Sequence, residues 1–168
     1  MSLDNKIWLK QLSEYPQVSE CIGKSKTRLD ALPSYEYLNS LRKDIPKELY
    51  AHYLRTLLQY NTANVPKEMR LNMLNGVLWE DIMFQDELDE IDSWDDHITI
   101  YRGAESTEQT PGLSWTIHRY IAENSEFNRG RVFKAVIPKN QILLYLAHEE
   151  AEGEIIANVT EGYEIVSK

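Results

Sequence analysis

The chain has a single cysteine, Cys21, so it carries no internal disulfide framework and no multi-cysteine metal site. It has no basic excess either. Lys and Arg number 18 against 27 Asp and Glu, a formal charge of -9, whereas binding mainly to nucleic-acid phosphates needs dense cationic surface. No apolar run approaches the length of a membrane span, and the start MSLDNKIWLK lacks a long apolar core behind a basic segment. The expectation is a soluble, cytoplasmic protein with no membrane contact and no direct nucleic-acid contact. His52, His97, His118 and His148 are scattered without an HxH or HExxH pattern, so no metal is expected. Neither GxGxxG nor GxxxxGK[ST] occurs, which argues against doubly wound dinucleotide binding and against a P-loop.

What is present is an ordinary globular balance over 168 residues, 42% hydrophobic and 27% charged. Up to about residue 90 the apolar spacing is helical. Asp4 and Asn5 are candidate caps for a helix carrying Ile7, Trp8 and Leu12, and Ser34 for one carrying Tyr35, Leu38 and Leu41. Asp44-Ile45-Pro46-Lys47 reads as a helix start, since proline in a first turn sacrifices no internal hydrogen bond. The helix that follows aligns Tyr50, Tyr53, Leu54, Leu57 and Leu58 on one face. Pro66 then opens what reads as the longest helix, striped by Leu71, Leu74, Leu78 and Ile82, with Gly76 tolerated at about 1 kcal/mol. Glu80 to Asp96 holds nine acids and no lysine or arginine, a pattern that most simply means solvated surface. It lacks the ordered oxygen-ligand spacing of a calcium loop.

Beyond residue 96 the segments turn short and strand-like: 98–101, 113–116, 131–137, 142–146, 154–159 and 163–166, with one helix over about 117–127. The chain thus divides into a helical part, 1–97, and a strand-rich part, 98–168. Residues 1–97 carry 11 bases and 17 acids, residues 98–168 carry 7 and 10, so neither half is a basic module.

Three places in the second part can carry chemistry. Arg102 follows the strand Ile98-Thr99-Ile100-Tyr101 and precedes Gly103; a guanidinium there can fork onto a phosphate, or simply sit in a surface turn. In Leu113-Ser114-Trp115-Thr116, strand alternation puts both hydroxyls on one face, to orient a carboxylate or sugar, or to meet solvent. Glu152-Gly153-Glu154 spaces two carboxylates so that one can stabilise developing positive charge and the other accept a proton. The plain alternative is an acidic turn.

Taken in order, Tyr101-Arg102-Gly103, Gly112-Leu113-Ser114-Trp115-Thr116 and Glu152-Gly153-Glu154-Ile155-Ile156 resemble the signature of the mono-ADP-ribosyltransferase superfamily, in its arginine-serine-glutamate branch. Residues 130–138 and 142–145 resemble the middle strands and turn of its small bacterial members, so the resemblance covers roughly 98–168. It implies an α+β chain whose second part is a split β-sandwich gripping NAD, used as a substrate. It further implies that Arg102 holds the phosphates or adenosine-side ribose, Ser114 positions Glu154, and Glu154 contacts the nicotinamide ribose. By the same resemblance Glu152 helps activate an acceptor guanidinium, and Tyr101 and Trp115 wall the nicotinamide pocket beside Gly103 and Thr116. Ala122 takes the place of an alanine packed behind the site. The expected partner is a protein acceptor, and the expected setting a bacterial or phage protein that acts in its own or a host cell. A plain NAD glycohydrolase, a catalytically inactive NAD binder, and an acidic interaction or inhibitor protein remain alternatives. Residues 1–97 carry none of the signature.

Overall fold

A computed structural model describes residues 13–24, 30–60, 62, 64–124, 130–147 and 153–166. The expected helix around Ile7, Trp8 and Leu12 lies outside the described residues. The chain forms two compact units, Met1–Gln85 and Asp86–Lys168. The fold is α+β: helices and a six-stranded antiparallel sheet. No helix among the described residues is long and apolar enough to cross a membrane.

In the first unit, α1 spans Leu32–Leu41 with Pro33 in its first turn. Ser34 is not its cap; it lies inside the helix and is buried. The Asp30 carboxylate instead accepts the Leu32 N–H at 3.2 Å, relieving one of the orphan donors at the helix start. Helix α2, Lys47–Tyr60, buries Leu49, Tyr50, Tyr53, Leu54, Leu57 and Leu58, the face that the helical spacing picks out. Arg55 on the same helix is also buried. Its Nη1 donates to the Ile82 carbonyl at 3.2 Å and its guanidinium lies 4.3 Å from the centre of the Phe84 ring.

The single long helix expected after Pro66 is two helices, α3 (Lys67–Leu74) and α4 (Trp79–Ile82). Gly76 takes φ +77, a conformation that ends a helix and that glycine adopts at little steric expense. Arg42 fixes the break by donating Nη1 to the Asn72 carbonyl at 3.0 Å and Nη2 to the Asn75 carbonyl. Leu78, counted in the stripe, is 55% exposed as a result.

The boundary falls after the first residue of α5, Gln85–Ser93, so the acidic helix that sequence texture groups with residues 1–97 belongs, from Asp86 on, with the sheet. It is not all solvated surface. Glu87 is fully buried, and its Oε1 accepts the Ala147 N–H at 3.0 Å. Lys139 Nζ donates to the carbonyls of Ile91 and Trp94 at 3.2 and 2.9 Å, a cation on the negative end of the helix. Trp94 meets Tyr145 edge-on, centroids 4.9 Å apart. Burial, and then a hydrogen bond with Glu90, push the Tyr145 phenol up.

The strands are β1 (His97–Glu105), β2 (Ser114–Thr116), β3 (Gly130–Pro138), β4 (Ile142–Leu146), β5 (Glu154–Ala157) and β6 (Tyr163–Val166), with α6 (Arg119–Glu123) after β2. Their order across the sheet is β4-β5-β2-β1-β3-β6. β1 and β3 pair along their full length, from His97↔Pro138 to Glu105↔Gly130. β1 and β2 share one registered pair, Tyr101↔Thr116. The sheet is therefore two three-stranded halves joined at one rung. Consecutive buried residues Ile155, Ile156 and Ala157 on β5 show that the β4-β5-β2 half is covered on both faces. In the other half Phe133 is fully buried against Tyr163, centroids 5.5 Å apart, while Val136 stands 55% exposed.

Burial, with Arg55 adding a smaller effect, lowers the His52 pKa to about 4. Between pH 6.5 and 4 the unfolded chain therefore takes a proton that the folded chain refuses, and stability falls as pH falls through that window. Urea unfolding across this range should show the wild type losing stability more steeply than His52→Gln; parallel slopes would remove His52 as the cause.

Candidate active site

The rung Tyr101↔Thr116 is where the chemistry-bearing side chains meet. Pairing of β2 with β5 sets Thr116 opposite Glu154 and Ser114 opposite Ile156. Alternation then places Ser114, Thr116 and Glu154 on one face, Ser114 diagonal to Glu154. The diagonal is closed by a hydrogen bond of 2.5 Å from Ser114 Oγ to Glu154 Oε1, a length typical of a hydroxyl donating to a carboxylate.

From the other side of the rung, β1 brings Arg102. Its Nη1 donates to the Ser114 carbonyl at 3.0 Å, and its Nη2 lies 3.4 Å from Glu108 Oε2. Its Nε is buried and has no hydrogen-bond partner among the described residues. Gly112 explains how the guanidinium fits. A Cβ at position 112 would come within 2.9 Å of Nη2 and 3.0 Å of Cζ of Arg102. The bare glycine backbone forms one wall of the arginine slot.

A small groove, about 50 Å³ in volume and open to solvent, lies here. Tyr101, Arg102 and Gly103 line it from β1, Ser114, Trp115 and Thr116 from β2, Glu154 from β5, and Ile121 and Ala122 from α6. Of the sequence candidates, Tyr101, Arg102, Gly103, Ser114, Trp115, Thr116 and Glu154 come together in this groove. Glu152 lies outside the described residues. Thr116 is already engaged: its hydroxyl accepts the His118 N–H at 3.0 Å and turns the chain from β2 into α6. Trp115 is 2% exposed, and its indole nitrogen is buried without a partner among the described residues.

Two further glycines shape the surroundings. Gly153 has φ +54 and is buried, and a Cβ there would lie 2.8 Å from Ile117 Cγ1. Its carbonyl accepts the Ile117 N–H at 3.3 Å, so Gly153 is seated directly on the residue that follows β2. Gly130, at φ +117, sits against Ser106 of the turn after β1. On α6, Ala122 is 1% exposed behind the groove, and Arg119 Nε donates to Glu123 Oε1 at 2.8 Å, which raises the Arg119 pKa.

Sequence reading missed Glu108 and gave Gly112 no role of its own. Glu108 lies in a turn with no periodicity to mark it. A glycine before Leu113-Ser114 points to close packing, but its partner, Arg102, is known only once the strands are paired. Among the described residues, no three His, Cys, Asp or Glu side chains converge into a group that could hold a metal ion.

Comparison of the chain with protein-family models, curated proteins and solved structures finds no match.

The two glycines should respond differently to alanine. Gly153→Ala forces a left-handed alanine against Ile117 and should lower unfolding free energy by about 1–3 kcal/mol. Gly112→Ala meets only the movable end of a side chain and should change it by less than about 1 kcal/mol. Urea unfolding of both variants checks this; equal losses would contradict the distinction.

Proposed function

We propose that the sheet-bearing unit is a mono-ADP-ribosyltransferase that takes NAD as its substrate, releases nicotinamide and passes ADP-ribose to a protein side chain. One observation carries the reading. The Ser114 hydroxyl grips the Glu154 carboxylate at 2.5 Å while Arg102, bonded to the Ser114 carbonyl, lines the same groove. Three residues separated by 12 and 40 positions meet as the arginine-serine-glutamate resemblance requires. A split β-sandwich would be the finer form of this fold, and the narrow union of β1 and β2 at Tyr101↔Thr116 is what supports it.

The chemistry follows from the side chains. The bond between the nicotinamide nitrogen and the ribose breaks, its electron pair leaves with neutral nicotinamide, and positive charge develops on the sugar. Glu154, a carboxylate held in one orientation by Ser114, stabilises that charge near the ribose hydroxyls. Pre-orientation matters because a carboxylate that had to reorganise during the reaction would give up part of the stabilisation. Arg102 holds the diphosphate, so binding energy remote from the reacting bond aligns it for cleavage. The departing ring is neutral and needs no strong general acid. An acceptor group then bonds to the ribose carbon and loses its proton. Glu152, two residues before Glu154, is the base the resemblance assigns when the acceptor is an arginine.

Incubation with labelled NAD and a mixed protein extract, followed by mass spectrometry, should place ADP-ribose on a protein side chain. Label found only as free ADP-ribose would make water the acceptor and the protein a glycohydrolase. Glu154→Gln should leave NAD affinity within about threefold and lower nicotinamide release by about a hundredfold or more, as for loss of a transition-state contact. Equal loss of binding and turnover would overturn the role given to Glu154.

A further inference from the structure

The Arg102 guanidinium already has a carboxylate beside it. Glu108 Oε2 lies 3.4 Å from Nη2, with the two side chains 34% and 22% exposed. Glu108 reaches this position through the turn after β1, in which the Glu108 N–H donates to the Glu105 carbonyl at 3.0 Å. Arg131 Nη1 donates to the Glu108 carbonyl and so ties the turn to β3. The other groups around the guanidinium are the Ser114 carbonyl, at 3.0 Å from Nη1, and the backbone of Gly112. An anion that bonds Nη2 of Arg102 competes with the Glu108 carboxylate for it.

We propose that Glu108 is an internal competitor for Arg102, a charge filter that sets how tightly the arginine holds an anion. The contact is long for a charge-assisted hydrogen bond and partly open to water, so it is weak enough to be displaced. Glu108 therefore lowers the affinity of Arg102 for every anion that competes for Nη2, and its repulsion grows with the charge of the ligand. The inference rests on reading Arg102 as the phosphate holder, and deepens that reading by naming what restrains it.

Inorganic pyrophosphate, titrated calorimetrically into the full-length protein, tests the filter without requiring catalysis. Glu108→Gln keeps an acceptor oxygen for Nη2 and leaves the backbone bond to Arg131 intact while removing the charge. It should bind pyrophosphate about fivefold more tightly than wild type at low salt, and the gap should shrink in 0.5 M salt as the charges are screened. Glu161→Gln, which removes one negative charge from an exposed residue, should match wild type. A gain in affinity separates this role from a structural one, because a loosened turn would weaken binding. Equal or weaker binding by Glu108→Gln, a gap that ignores salt, or no binding by either protein would overturn the filter. Tighter pyrophosphate binding without nicotinamide release from NAD would keep the filter and remove the transferase. Nicotinamide release with unchanged pyrophosphate affinity would do the reverse.

Discussion

The register between β2 and β5 is the constraint on which the groove depends. With Thr116 opposite Glu154, the Ser114 hydroxyl stands diagonal to the carboxylate and bonds it at 2.5 Å. A slip of one residue would turn Glu154 toward the other face and bring Ile155, now fully buried, into its place. Several features oppose such a slip. β4 pairs with β5 on its other side, with Leu146 opposite Glu154. The Ala157 N–H donates to the Leu113 carbonyl at 2.9 Å, beyond the last rung, and Gly153 is wedged against Ile117. The apolar core thereby holds a polar contact in position, and burial on both faces of β5 supplies the energy for it.

The second determinant is the narrow union of the two halves of the sheet. β1 is fully committed to β3, yet touches β2 in register only at Tyr101. Where the strands part, side chains from both halves can face a common space. Arg102 crosses that space to the Ser114 carbonyl. The gap is therefore what makes room for a ligand, and the arginine is what keeps its two sides in fixed relation. Gly112 permits the crossing by offering no side chain.

Much of the second unit is legible in the sequence. Alternating and continuous apolar runs locate β1, β3, β4 and β6 to within a residue or two, except that β1 continues through Gly103 to Glu105. A strand continues as long as its partner does, and β3 pairs with it to Gly130. The helical part shows where local pattern misleads. The stripe from Leu71 to Ile82 keeps helical spacing across Gly76, but spacing does not register that Arg42 will bind the carbonyls exposed by a break. Glu87 makes the same point from the opposite side. In a run of nine acids it is indistinguishable from its neighbours, and its burial follows from the Ala147 N–H that needs an acceptor.

By itself, the sequence determined the element types, the acidic balance, and the candidate site residues: an arginine on a strand, a serine on a short strand, a glutamate opening another. These are properties of composition and of periods of two or 3.6 residues, which are local. Tertiary structure alone decided that Ser114 and Glu154 touch, that Glu108 shares Arg102, that Gly112 faces the Arg102 guanidinium, and that Gly153 must lack a side chain. Each of these depends on which strands pair and in what register, and that choice is made by burying distant apolar segments together rather than by any neighbouring residue.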